Sequence, residues 1–296
     1  MKSIEKQKVA LVLSGGAARG IAHIGVIEEL ENRGYEITSI AGTSMGSLVG
    51  GVYATGKLTE LKEFLYTLDK SKVFRLLDFT LNKQGIIKGD KVLKKMKDFV
   101  PDMLIEDLPL PYAAVAVDLI NKEEVVFRSG SLYHAIRASI SIPTVFTPVK
   151  EENRLLVDGG LLNNLPLAYV DRREGDMMVA VHVNADIPHL KPETSKESVK
   201  KQALYQKKIK EFYNHILPSS STADEQLGYF SLITRSFELM TARMAEEKIK
   251  RYSPEVLINV SRESCNIYDF YKAEEQVEAG RRAAIEVLDS IEKKQL

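Results

Sequence analysis

The sequence has very little cysteine, no excess charge of either sign and no long uninterrupted apolar segment. Its single cysteine, Cys265, excludes an internal disulfide and any zinc site built from several cysteines. Lysine plus arginine and aspartate plus glutamate each total 41, so no net positive charge favours nucleic acid as a partner. The apolar stretch 9–27 is interrupted by Arg19 and His23, and the stretch 41–54 is too short to cross a bilayer. We therefore expect a cytoplasmic protein with neither a signal peptide nor a transmembrane helix.

The first 55 residues alternate between apolar runs and helical patterns. Residues 8–14 are typical of a buried parallel strand, and residues 21–33 carry an apolar stripe at helical spacing, with Gly34 at the expected end of the helix. A second strand at 37–41 leads through a glycine-framed turn into another helix. This order predicts an α/β fold with three layers, in which helices cover both faces of a mostly parallel central sheet.

The later elements extend this pattern. Helices are predicted at 59–68, 90–99, 132–138, 226–252 and 273–291, and strands at 109–118, 123–127, 154–157, 176–183 and 255–260. The segments 81–89 and 139–149 are expected to be irregular. We predict a catalytic core over residues 1–185, a helical excursion over 186–252 and a closing strand and helix over 253–296 that complete the core. The excursion is expected to act as a lid or as a contact surface between two copies of the chain.

One serine stands at a sharp strand-to-helix turn. Gly42, Thr43, Ser44, Met45 and Gly46 form the G-x-S-x-G pattern, in which glycines on either side of the turn avoid collisions with the neighbouring strand. Such a turn lifts the serine hydroxyl clear of the sheet, above the start of a helix. The pentapeptide alone is compatible with a nucleophile or with an ordinary turn that contains serine.

A glycine-rich loop precedes this turn. Residues 14–20 (SGGAARG) join the first strand to the first helix, where several backbone N–H groups converge. The loop is compatible with a dinucleotide site, although Ala17 replaces a glycine of that motif, with an oxyanion hole, or with packing alone.

A base is needed to activate a serine hydroxyl. The five histidines (His23, His134, His182, His189 and His215) all lie outside the glycine-marked loops. Asp158 follows a strand and precedes Gly159 and Gly160, which leaves room beside its carboxyl group. A poorly solvated aspartate has a raised pKa and can accept a proton directly. An Asp-Gly turn without catalytic function is the alternative.

Taken together and in this order, the three glycine-marked motifs resemble the signatures of the patatin-like phospholipase family. The similarity extends over residues 9–184, including the segments AHIGV, 138–148 and LLNNLP, and again over 255–288. It implies a lipid acyl hydrolase in which Ser44 is the nucleophile, Asp158 is the base, and the amides of Gly15, Gly16 and Ala17 form the oxyanion hole. The residues that would support these motifs are Arg19, Gly20, Gly42, Gly46, Gly159 and Gly160. Ala17 departs from the family, which often has a third glycine there.

The resemblance further implies a lipid or lysophospholipid ester as substrate, with peripheral contact to a membrane. Lysines within 191–210 are candidates for contact with anionic headgroups, or simply form a solvated surface. We see no metal-ligand cluster and predict no cofactor. Two alternatives stay open: a triad with His182 as base, and a lipid-binding or regulatory protein on the same fold that has no turnover.

Overall fold

A mixed sheet of eight strands forms the centre of the molecule in this computed structural model, which describes residues 6–76, 79–82, 85–87, 90–143, 145–188 and 229–295. The strand order is β10-β9-β1-β2-β5-β8-β7, and β6 pairs with β5 beside this path. These strands are β1 (Lys8–Leu13), β2 (Glu36–Thr43), β5 (Tyr112–Asp118), β6 (Glu123–Phe127), β7 (Val149–Glu151), β8 (Arg154–Asp158), β9 (Met177–Ala185) and β10 (Val256–Ser261). A separate two-stranded hairpin consists of β3 (Phe79–Asn82) and β4 (Gly85–Ile87).

Eight α-helices accompany the strands in the described part of the chain. They are α1 (Ala22–Asn32), α2 (Met45–Ala54), α3 (Leu58–Tyr66), α4 (Lys70–Leu76), α5 (Asp90–Met96), α6 (Leu132–Ser139), α7 (Tyr229–Tyr252) and α8 (Ala273–Gln295). The predicted α/β fold with helices on both sides of a largely parallel sheet is confirmed.

The parallel half of the sheet runs from β10 to β5. All of β1 after its first residue is buried, as a strand covered by helices on both faces must be. The first and last helices pack closely on one side: a Cβ at Gly25 would come within 1.9 Å of the Val277 carbonyl oxygen, and one at Gly280 within 1.9 Å of the Ala22 oxygen. Only glycine permits this approach, so α8 is joined tightly to α1.

Strand β5 brings two other strands together end to end. Its residues Tyr112 to Val115 pair with β2 in parallel, and residues Ala116 to Asp118 pair with β8 antiparallel. Because β6 occupies the opposite edge of β5 along much of this length, β2 and β8 share the same edge. The last residue of β2 is opposite Val115 and the last residue of β8 is opposite Ala116, so the two carboxyl ends meet.

Several boundaries differ from the predictions. The hairpin β3–β4 occupies part of the segment expected to be irregular at 81–89, and helix α4 was not predicted. Both are short elements without a long periodic pattern, which is why sequence periodicity misses them. The predicted long helix begins at Tyr229 within the described residues. The lysine-rich stretch 191–210 lies outside the described residues, and the division into core, excursion and closing segment stays a prediction.

Candidate active site

Ser44 occupies the strained turn between β2 and α2. Its φ is +53°, a left-handed conformation that costs a residue with a Cβ about 1–3 kcal/mol. The glycines around it have a steric reason: a Cβ at Gly42 would lie 2.5 Å from the Gly46 carbonyl carbon, and one at Gly46 would lie 2.3 Å from the Leu13 oxygen. Helix α2 therefore starts directly against the sheet, and the turn holds the buried Ser44 side chain at its end.

Ser139, at the end of α6, supports this turn. Its hydroxyl accepts a hydrogen bond from the Ser44 N–H at 2.9 Å and donates one to the Val115 carbonyl at 2.6 Å. A fully buried hydroxyl thus satisfies a backbone donor of the strained residue and ties it to β5. No sequence motif marks Ser139 as part of the site.

Asp158 lies at the carboxyl end of β8, only 2% exposed. Its Oδ1 accepts a hydrogen bond from the Gly160 N–H at 2.7 Å, and its buried Oδ2 has no hydrogen-bond partner among the described residues. Burial raises the pKa of this carboxyl group to about 7, and the Ser44 hydroxyl and the Gly160 N–H oppose that rise. No hydrogen bond joins the Ser44 hydroxyl to the Asp158 carboxyl group among the described residues.

The two glycines after Asp158 allow close packing around the carboxyl group. A Cβ at Gly159 would lie 2.2 Å from the Val115 oxygen, and one at Gly160 would lie 3.0 Å from Asp158 Oδ1. Larger residues at these positions would separate β8 from β5 or displace the carboxyl group.

The glycine loop after β1 faces the same site, but not with all of its predicted donors. The Gly15 N–H donates to the Asn164 carbonyl at 3.0 Å, and Gly15 does not line the cavity, whereas Gly16 and Ala17 do. The Gly15 hydrogen is thus already used within the fold, and the oxyanion hole at Gly15, Gly16 and Ala17 stays a prediction. Ala17 has φ +47°, the conformation that glycine tolerates better at this position.

Arg19 and Gly20 fasten this loop to its surroundings. The Arg19 guanidinium donates to the Cys265 carbonyl (3.1 Å), to Asn184 Oδ1 (2.8 Å) and to Glu238 Oε1 (3.0 Å). A Cβ at Gly20 would lie 2.5 Å from Met45 Cγ, so the loop also lies against the start of α2. Arg19 is buried, and it acts as a structural link rather than as an exposed charge.

Two cavities meet at Ser44 and Ala17. The first has polar groups in its wall and is bounded on one side by α7. Its polar side chains are Arg19, Ser44, Asp158, Asn164, Asn184, Glu238, Thr241, Arg262 and Tyr268. The second extends between α2, α3, α4 and α5, and its wall is almost entirely apolar. The residues that line it include Leu48, Leu61, Phe64, Val73, Val92 and Met96.

The described histidines lie away from both cavity walls. His23 and His182 are buried, and burial lowers the pKa of each to about 4, so both are neutral near pH 7. His23 Nε2 lies 2.7 Å from the Ser14 carbonyl oxygen, which can only accept, so this nitrogen carries the proton. His134 contacts Glu151 near the surface. His189 and His215 lie outside the described residues.

Comparison with known proteins identifies the family. The model for patatin-like phospholipases matches residues 11–171, more than half of the chain, and the chain therefore belongs to the patatin-like phospholipase family. It is 33% identical to an uncharacterized NTE family protein of Mycobacterium bovis, over 96% of this chain and 92% of that protein. It is 28% identical to lysophospholipase NTE1 of Candida glabrata over 93% of this chain, which corresponds to 16% of the yeast protein.

One solved structure, that of VipD from Legionella pneumophila, aligns with 97% of this chain and 67% of its own at 16% identity and a TM-score of 0.48. Family membership supports lipid hydrolase activity in general terms. Among the described residues, none of the helices combines the length and the apolar character needed to cross a membrane.

Proposed function

We propose that this protein is a serine hydrolase of lipid acyl esters, in which Ser44 is the nucleophile and Asp158 is the general base. The observation that carries the proposal is the meeting of the carboxyl ends of β2 and β8, the strands that lead to Ser44 and to the buried Asp158. A base is most effective when its pKa lies near the working pH, and the raised pKa of Asp158, about 7, satisfies this condition.

The reaction proceeds through an acyl-enzyme. Asp158 takes the proton of the Ser44 hydroxyl as the oxygen attacks the ester carbonyl, and a tetrahedral oxyanion forms. When this intermediate collapses, the protonated Asp158 gives its proton to the leaving alcohol. Water then attacks the acyl-enzyme, Asp158 accepts a proton from it, and the fatty acid leaves while Ser44 regains its hydrogen.

The oxyanion hole consists of the Gly16 and Ala17 amides. Both residues line the cavity beside Ser44, at the start of a short 3₁₀ helix that leads into α1. The Ser44 N–H does not contribute, because it donates to Ser139. Backbone donors fixed in this way typically lower a barrier by about 3–4 kcal/mol each.

The apolar cavity indicates which part of the substrate it holds. A wall made of leucine, valine, methionine and phenylalanine side chains favours a hydrocarbon chain, and the cavity opens at Ser44, where the ester bond must lie. The polar cavity beneath α7 then receives the alcohol side of the ester, with Arg262 and Thr241 in its wall. This arrangement favours an ester that presents one acyl chain at a time, such as a lysophospholipid.

The outer face of α7 supports peripheral contact with the lipid surface that supplies such a substrate. Leu239 and Met240 are more than half exposed. Helical periodicity sets the two together opposite the cavity-lining face of α7, which consists of Phe237, Glu238, Thr241 and Ala242. Changing both Leu239 and Met240 to glutamate should reduce co-sedimentation with phosphatidylcholine vesicles while leaving hydrolysis of a soluble ester intact. If vesicle binding is unchanged, this face is not the contact; a shift in sedimentation coefficient would assign it to a second copy of the chain instead.

Two substitutions test the dyad directly. Ser44→Ala and Asp158→Asn should each reduce hydrolysis of a p-nitrophenyl ester and of a lysophospholipid by about 10⁴-fold or more. Ser290→Ala, which removes an exposed hydroxyl in α8, is the matched control and should behave like the wild type. Turnover retained by either dyad variant would contradict the proposal. A wild-type protein that binds lipid but neither turns over substrate nor reacts with a fluorophosphonate would identify a lipid-binding protein instead.

A further inference from the structure

The peptide bond between Gly15 and Gly16 is held from one side by two asparagines. The Gly15 carbonyl oxygen accepts a hydrogen bond from Asn184 Nδ2 at 2.7 Å and a longer one from Asn164 Nδ2 at 3.4 Å. The Gly15 N–H donates to the Asn164 backbone carbonyl at 3.0 Å. Every polar group of Gly15 therefore has a partner in the fold.

This arrangement determines the direction of the next N–H group. A trans peptide is planar, and its C=O and N–H bonds point in opposite directions. Since Asn184 holds the Gly15 carbonyl, the Gly16 N–H must point away from the Asn184 side chain. Gly16 lines the cavity, and a Cβ on Gly15 would lie 3.0 Å from Ser44 Cβ, so this peptide is next to the nucleophile.

The orientation of the Asn184 carboxamide is itself fixed by chemistry. Arg19 Nη1 lies 2.8 Å from Asn184 Oδ1, and a guanidinium can only donate, so the oxygen must face Arg19. The Gly15 carbonyl can only accept, so the amide nitrogen must face Gly15. Arg19 in turn is held by the Cys265 carbonyl and by Glu238 of α7, and is therefore not free to rotate.

We propose that Asn184 is a positioning residue of the oxyanion hole, which directs the Gly16 N–H toward the reacting carbonyl oxygen, and that Arg19 holds Asn184 in the donating orientation. The inference rests on the proposed function, because it assigns a role within the same hydrolytic site. Although Asn184 lies in the cavity wall, both ends of its carboxamide are bonded to the protein, the oxygen to Arg19 and the nitrogen to the Gly15 carbonyl. It should therefore affect the transition state more than the bound ester.

The test compares Asn184→Ala and Asn184→Asp with Asn121→Ala. An aspartate keeps the acceptor for Arg19 but has no donor for the Gly15 carbonyl. The variant Asn121→Ala loses a side-chain hydrogen bond to Asp118 in the β5–β6 turn, and it serves as the control for general destabilisation. The quantities to measure are kcat and KM on a soluble p-nitrophenyl ester, and the affinities for two inhibitors. One inhibitor is an alkyl trifluoromethyl ketone, which forms a tetrahedral oxyanion on Ser44, and the other is a fatty acid.

Both Asn184 variants should lower kcat by about 10–100-fold, less than or similar to the loss of a whole oxyanion donor. Affinity for the trifluoromethyl ketone should fall by a similar factor, whereas KM, inhibition by fatty acid and the midpoint of the pH profile stay near wild-type values. The inference is overturned if kcat and ketone affinity stay within about twofold of wild type. It is also overturned if KM rises and fatty-acid affinity falls by the same factor as the ketone affinity. If Asn184→Ala fails to fold, the result for Asn184→Asp decides.

The same experiment separates this inference from the proposed function. A wild-type enzyme without turnover would overturn both, whereas an active wild type with normal Asn184 variants would overturn this inference alone.

Discussion

The buried carboxyl group of Asp158 should make the stability of the protein fall as pH rises through the slightly acidic range. Its pKa in the folded protein is about 7, against an ordinary value of 3.8. Between these values the folded protein keeps the proton while the unfolded chain releases it, so each pH unit lowers the free energy of unfolding by about 1.4 kcal/mol. The total effect from pH 4 to pH 7 is about 4 kcal/mol at most, and it is constant above pH 7.

Asp158→Asn removes this titration while conserving shape. The asparagine oxygen can still accept the hydrogen bond from the Gly160 N–H, and no charge is left to bury. Relative to wild type, the variant should therefore gain stability as pH rises from 4 to 7. His23 and His182 titrate in the opposite sense, because their lowered pKa values add stability as pH rises from about 4 to 6.5. They are common to both proteins, so they cancel in the difference.

Urea denaturation at half-unit steps from pH 4.5 to 8.5 measures this difference, with the exposed Asp98→Asn as the control for removal of a carboxylate. In parallel, kcat/KM of the wild type should rise with pH about a midpoint near 7, because the base must lose its proton before it acts. A stability difference that does not change with pH would show that the Asp158 pKa is ordinary, and it would remove the physical basis for aspartate as the base.

Three further substitutions test separate parts of the site. Ala17→Gly should leave the free energy of unfolding unchanged or raise it by up to about 1 kcal/mol, because release of the positive-φ strain offsets the added chain entropy. Ala18→Gly, at the next residue of the same 3₁₀ helix, should lower the free energy of unfolding, and a similar loss for Ala17→Gly would refute the strain. Ser139→Ala leaves the Ser44 N–H without its partner, so it should lower the free energy of unfolding, measured by chemical denaturation, by about 1–3 kcal/mol and should also lower kcat. An unchanged free energy of unfolding and an unchanged kcat would show that the hydroxyl is dispensable. Val73→Phe fills the apolar cavity and should lower kcat/KM for p-nitrophenyl palmitate at least about tenfold while sparing the butyrate ester; an equal loss for both esters would argue against the chain site.

The sequence was a good guide where physical chemistry acts locally. The glycines at 42 and 46 predicted a close strand–helix turn, and the Cβ positions that would collide there show the reason. Alternating apolar runs and helical stripes likewise predicted the layered α/β architecture, because burial on both faces of a parallel sheet requires them.

Contacts between distant segments were not accessible in the same way. Nothing in the sequence near Ser139 or Asn184 indicates that one meets the Ser44 N–H and the other the Gly15 carbonyl, since each contact depends on how separate elements pack. The hydrogen bond of the Gly15 N–H is of the same kind, because its partner, Asn164, is 149 residues away. A motif identifies which amides are near a site, but tertiary hydrogen bonds decide which of them remain available.

The head-on meeting of β2 and β8 bears on why a two-residue dyad is sufficient here. In a sheet with parallel strands only, carboxyl ends stand side by side, and a serine at one end is separated from an acid at another by at least one strand spacing, about 4.8 Å. An imidazole ring is a convenient bridge for such a gap. Because β8 enters from the opposite direction along the edge of β5, its last residue faces the last residues of β2. Under the proposed mechanism, reversing the direction of one strand takes the place of a third catalytic side chain.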